Sequence, residues 1–250
     1  MEETSVPEPA AEFRWEVVDL VVFGAFFLAT VFLLPLGSFL LLRLFQPKLE
    51  ITDLSGVQQI LIQAVMDFLL VGFILFLIRV LHARPILHTL RLIPNSHVRI
   101  GRLIVGGCFL AIMVLFITFF LPMPSDSPIE KLLTTPFSIL VFSVFGIAFA
   151  PFLEELIFRG FVFTALVDTA GPTTGVLVTA TLFAALHAIQ LWGNWAAIAV
   201  IFLVGLVLTL VRYRTDSVVS SIIMHTAYNA VIFGISGLGA LLGHETLTPN

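Results

Sequence analysis

The sequence predicts an all-α fold, a polytopic integral membrane bundle of seven or eight transmembrane helices, and three observations predict it. Hydrophobic residues make up 59% of the 250 residues and charged ones 11%, more apolar surface than a soluble core of this length could hide. The mean hydropathy is +1.09. The apolar residues also fall in runs long enough to carry a helix through about 30 Å of hydrocarbon, separated by turn residues and charge.

The first run, 17–45, follows an acidic tail (1–16) that carries Glu2, Glu3, Glu8, Glu12 and Glu16. A secretory signal would open with a positive segment and a short apolar stretch, so this helix is expected to be retained. Further spans are predicted at 57–82, 101–121, 136–167, 173–191, 195–212 and 217–242. Two places leave the count open. At Ala150-Pro151 and in the Gly-rich stretch Gly234 to Gly239, one long kinked helix and two shorter elements fit equally well. No repeat or interdomain linker is visible. We read 17–243 as one integral domain, with N-terminal transmembrane helices (17–135), a motif-bearing core (136–243), a polar connector from Pro122 to Thr135 and a C-terminal tail (244–250).

A net charge of -4 with no basic face excludes a nucleic-acid partner. Arg79, Arg84, Arg91, Arg99 and Arg102 crowd the second connection, which the positive-inside rule places in the cytoplasm together with the N-terminus. There they set topology and meet anionic headgroups of the membrane lipids. A single crossing by 136–167 puts the Arg212/Arg214 turn on the same side and a double crossing reverses it, so the charge rule favours the single kinked crossing. Cys108 stands alone and reads as a space-filling thiol. Trp15, Trp192 and Trp195 fall near span ends and read as interfacial anchors. Compact size without a targeting peptide makes a prokaryotic plasma membrane the expected location.

Three groups of polar residues interrupt the apolar second half: Glu154 and Glu155 with Arg159, Phe183 with His187, and His225 with Asn229. Ionisable groups inside a membrane segment are a functional-site hypothesis by default. Counting residues from the intervening turns places Glu154, His187, His225 and Asn229 within about one and a half to two helical turns of one another in depth. A common site is geometrically possible. Residues four apart share a helix face, so Glu155 can pair with Arg159, while Glu154 points about 100° away and is free to face His187. Phe183 reads as a packing residue. Asp67, with Gln58, Gln59 and Gln63 on the second helix, could line a polar cavity, yet interhelical hydrogen bonding explains them as well, and they stay outside the predicted site.

A carboxylate and an imidazole aimed at one water make a hydrolytic base, and a second histidine with an amide could stabilise an oxyanion. That combination reads as peptide-bond hydrolysis. The same residues could instead bind a divalent metal such as zinc, with Glu154, His187 and His225 around a water. The HExxH helix of many zinc proteases is absent.

The stretches Glu154-Glu155-Leu-Ile-Phe-Arg159-Gly160, Phe183-Ala-Ala-Leu-His187 and His225-Thr-Ala-Tyr-Asn229 resemble the three motifs of the CAAX-protease and bacteriocin-processing (CPBP) family of intramembrane endopeptidases, also called the Abi or Ras-converting-enzyme family. The resemblance spans roughly 136–232. It implies that Glu154 and His187 activate the attacking water, that His225 and Asn229 hold the oxyanion, and that Glu155 and Arg159 are structural supports. It also implies a protein or peptide substrate, which could be lipid-modified, and it leaves metal-dependent and glutamate-dependent, metal-free chemistry both open. Two other classes use intramembrane polar residues: a proton-coupled membrane transporter, and a non-catalytic membrane scaffold or immunity protein. The first is disfavoured because residues 1–135 hold no counterpart of the motifs.

Overall fold

The computed structural model describes residues 13–50, 53–121, 135–188 and 191–247, and every regular element among them is helical. In chain order these are α1 (Val17–Phe45), α2 (Gly56–Phe76, extended by a π-helical segment Leu77–Leu81), the short α3 (Ile86–Thr89), α4 (Ile100–Phe119), α5 (136–170), α6 (Pro172–Ala188), α7 (Trp195–Thr215) and α8 (Val218–Leu247). Six helices among the described residues are long and apolar enough to cross a membrane, and α6 is a shorter seventh apolar helix. The protein is an integral membrane protein.

Both ambiguous places resolve as continuous helix. Helix α5 starts on a reciprocal cap, with Thr135 Oγ1 accepting from Ser138 N at 3.0 Å and Ser138 Oγ accepting from Thr135 N at 3.0 Å. It then passes Pro151 without breaking. The reason lies one turn earlier, in a π segment over Phe145–Phe149 where Ala150 N bonds to Phe145 O, five residues back. In that register the next bond would run from residue 151 to the Gly146 carbonyl, and a proline has no N–H to make it. The missing bond therefore frees one carbonyl without interrupting the helix. A second π segment, Leu156–Val162, follows. Helix α8 likewise continues through the glycines to Leu247, four residues into the stretch read from sequence as a tail. The remainder of the tails, at 1–12 and 248–250, and most of the polar connector, at 122–134, lie outside the described residues.

One end of the bundle is defined by polar contacts between loops. Val218 N donates to Arg91 O at 3.0 Å, Asn95 Nδ2 to Thr215 O at 2.8 Å, and Ser217 Oγ to Ile93 O at 2.6 Å. The arginine-rich second connection thus shares a side with the α7–α8 turn, as a single crossing by α5 requires. The start of α1 is at this end too: Trp15 N donates to Asp168 Oδ2 at 2.9 Å, and Asp19 meets His82 at 2.8 Å.

Two apolar clusters hold the bundle. The larger draws on α1, α2, α5 and α6, and the smaller joins α4, α7 and α8. Trp15 belongs to the first: it is 3% exposed and lies edge-on to Phe161, so it is a core residue rather than the interfacial anchor expected. Trp192 and Trp195 are exposed, as anchors should be. Gly205 lets α7 lie against α6, since a Cβ there would sit 3.1 Å from Phe183 Cδ1 and 3.4 Å from the Ala180 carbonyl. Close approach through small residues drives packing where lipid supplies no hydrophobic force between helices.

Candidate active site

Helix α5 presents Glu154, Glu155 and Arg159 to the ends of two motifs on other helices. Glu155 and Arg159 are both fully buried, and Arg159 Nη1 donates to Glu155 Oε1 at 2.8 Å. The guanidinium is satisfied on its other edges by α7: Nε donates to Thr209 Oγ1 at 3.2 Å and Nη2 to the Gly205 carbonyl at 2.9 Å. Its face lies over the Phe183 ring, 4.6 Å from the centroid. A buried ion pair is tolerated in a membrane when its remaining donors find such partners. Gly205 thus serves twice, as the close-packing point for α6 and as an acceptor for Arg159.

The same carboxylate holds His225. Glu155 Oε1 also accepts from His225 Nδ1 at 2.9 Å, so Glu155 ties α5 to α8 as well as to its own arginine. A carboxylate can only accept, which fixes the proton on Nδ1. Nε2 is left facing Glu154, whose Oε2 stands 3.9 Å away. That separation is too long for a direct hydrogen bond and suits a bridging water. Glu154 is 17% exposed where Glu155 is 0% exposed. The two adjacent carboxylates therefore do different things, as their angular separation on the helix predicts: one is sealed among partners, the other open to a small reactant.

His187, in the last turn of α6, is set in the same way. Its Nδ1 donates to the Phe183 carbonyl at 2.9 Å, because a carbonyl also only accepts, and Nε2 is presented outward. Its ring packs on Phe183 at 4.8 Å between centroids, and Phe183 in turn lies 6.0 Å from the His225 ring. Phe183 is thus the shared wall against which both imidazoles and the guanidinium rest. Among the described residues, the imidazole that meets Glu154 is His225 rather than the His187 expected from residue counting. Asn229 lies one turn beyond His225 and donates from Nδ2 to the Gly146 carbonyl at 2.7 Å, the carbonyl that Pro151 leaves without a helical partner. One amide N–H of Asn229 is used there and a second is left.

The kinds of donor suit zinc: histidines with Nδ1–H held by an acceptor and Nε2 free are usual in metal sites. Among the described residues, no three His, Cys, Asp or Glu side chains are grouped to hold a metal ion.

Residue spacing missed two contributors. Gly205 and Thr209 are four apart on α7, a small-plus-polar pair whose one signal was that spacing. Of the two readings of Asp67, cavity-lining or interhelical hydrogen bonding, the second is not met: its Oδ1 accepts from Gln63 on its own helix at 2.9 Å, and among the described residues its Oδ2 has no hydrogen-bond partner.

Residues 136–231 match the family described as Rce1-like, type II CAAX prenyl endopeptidase Rce1-like. The segment carrying all three motifs is thus similar to the CAAX-protease family that those motifs resemble. Comparison with curated proteins and with solved structures finds no match.

Proposed function

We propose that the protein is an intramembrane endopeptidase that hydrolyses a peptide bond in a membrane-proximal or C-terminal segment of a protein substrate. The observation that carries this reading is the contrast between the two neighbouring glutamates: Glu155 is consumed in holding Arg159 and His225, while Glu154 is partly open and stands 3.9 Å from His225 Nε2. Glu154 takes the proton from the attacking water as general base, and His187, through Nε2, orients that water. Hydroxide adds to the scissile carbonyl carbon. The oxygen that becomes negative is met by the remaining Asn229 N–H and, when its ring is doubly protonated, by His225 Nε2–H. The proton held on Glu154 then passes to the departing amine nitrogen, which restores the carboxylate. Glu155 acts as a positioning residue for His225, and the Gly146 carbonyl does the same for Asn229.

A carboxylate base needs no metal in this scheme. A lipid-modified substrate is consistent with the family, and a prokaryotic plasma membrane is the location we favour.

The test is cleavage by the purified protein in proteoliposomes, using quenched peptides with and without a prenylated C-terminal cysteine. Wild type is expected to cut and Glu154→Ala and His187→Ala to fail; wild-type rates in both variants would end the proposal. Exhaustive chelation, checked by metal analysis, is expected to leave activity intact, and loss that zinc restores would replace the carboxylate base with a metal-bound water.

A further inference from the structure

The second helix lies outside the motif segment, yet it brings a carboxyl to the same place. The buried stripe of α2 comprises Ile60, Met66, Asp67, Leu70, Val71 and Ile74. Met66, Leu70 and Ile74 pack into the same cluster as Leu153, Leu156 and Ile157, which flank the Glu154-Glu155 pair on α5. Asp67 is therefore on the face of α2 that meets the catalytic segment. It is 2% exposed. Glu154 is the ionisable group of another helix that acts on it electrostatically.

Its hydrogen bonding is half complete. Gln63 Nε2 satisfies Oδ1 at 2.9 Å, and Oδ2 is buried without a protein partner. If Asp67 served only to glue helices together, Oδ2 would reach a donor on a neighbouring helix, and among the described residues it does not. A buried oxygen left in this state is a strong site for an ordered water, because desolvating it without a partner costs about 1–3 kcal/mol. The charge of Glu154, which acts on Asp67 from the neighbouring helix, supplies a second polar wall for such a water.

We propose that Asp67 is a positioning residue for the reaction: its Oδ2 and the Glu154 carboxylate hold one water between α2 and α5, the water that Glu154 deprotonates or the one that replenishes it. The inference rests on reading Glu154 as the base. It makes the active site a product of both halves of the chain, with Gln63 fixing the Asp67 rotamer.

Two measurements test it, and they separate its failure from failure of the protease reading. In the first, Asp67→Leu, which keeps bulk and removes the oxygens, is compared with Asp67→Asn, which keeps an acceptor. Losing one strong hydrogen bond to the water lowers kcat by roughly 10-fold to 100-fold, with KM unchanged, and Asp67→Asn recovers part of the loss. Equal kcat in wild type and Asp67→Leu, while Glu154→Ala is dead, overturns the role of Asp67 and leaves the protease standing. A KM increase with unchanged kcat also overturns it. The second measurement needs no substrate: a structure of the wild type in lipid, at a resolution that shows waters. A water within hydrogen-bond reach of both Asp67 Oδ2 and Glu154, absent in Asp67→Leu, is expected. A dry contact overturns the inference even if no peptide is ever cleaved.

Discussion

Helices α1 and α5 are both long and apolar, yet they are built for different surroundings. In the most hydropathic window of α1, 17% of residues are buried inside the bundle, and Leu33, Leu40, Leu44 and Phe45 project outward. Lipid is their partner, so identity matters little beyond being apolar. Within α5, every residue from Glu155 to Phe163 is buried. There the solvent is other side chains, and the Arg159 guanidinium and Glu155 Oε1 each have named partners. The difference teaches that a membrane fixes composition loosely where helices face it and chemistry tightly where they face one another.

Substitutions can break that contrast, beginning with the largest effect. Glu154→Gln is expected to lower kcat by about 10²–10⁴-fold, the usual contribution of a positioned base, with no change in thermal unfolding in detergent. An unfolding midpoint that fell in step with activity would turn Glu154 into a structural residue. Arg159→Met should act on stability first: the fully buried Glu155 and its His225 contact lose their counter-charge, and breaking a buried pair costs about 3–5 kcal/mol. The double variant Glu155→Gln/Arg159→Met is expected to regain part of that loss in chemical unfolding, because no lone charge remains. If the single and double variants were equally unstable, the pair would not be the brace.

Pro151→Ala sharpens the comparison more gently. It restores an N–H that competes with Asn229 for the Gly146 carbonyl, so kcat should fall by about 10-fold, the equivalent of one hydrogen bond, while the helix itself is not weakened. An unchanged rate would show that Asn229 is held by something other than the freed carbonyl. The smallest effect belongs to the lipid face. Leu33→Ala and Leu40→Ala on α1 should change unfolding by no more than about 0.5 kcal/mol and leave cleavage rates alone. A larger loss at either would reveal an unsuspected protein partner against α1.

Much of this could be read from residue order. The membrane class, the span boundaries of α1 and the pairing of Glu155 with Arg159 follow from apolar run length and from the four-residue helix period, which are local properties. Continuity of α5 through Pro151 was legible only as one of two options, since a proline gives the same local signal whether its lost bond kinks a helix or falls in a π turn. Trp15 looked interfacial because it precedes an apolar run; packing against Phe161 from a helix far along the chain reversed that.

By itself, the sequence determined that this is a helical membrane protein and which costly polar residues had to find one another, because lipid makes their isolation expensive at any position. Only the tertiary structure decided who meets whom. It gave Glu155 to His225 as well as to Arg159, placed His225 rather than His187 beside Glu154, lent Asn229 the carbonyl freed by Pro151, and brought Asp67 to the motif helix. Those choices depend on the rotation and crossing of whole helices, and the four-residue period constrains contacts along one helix, not between two.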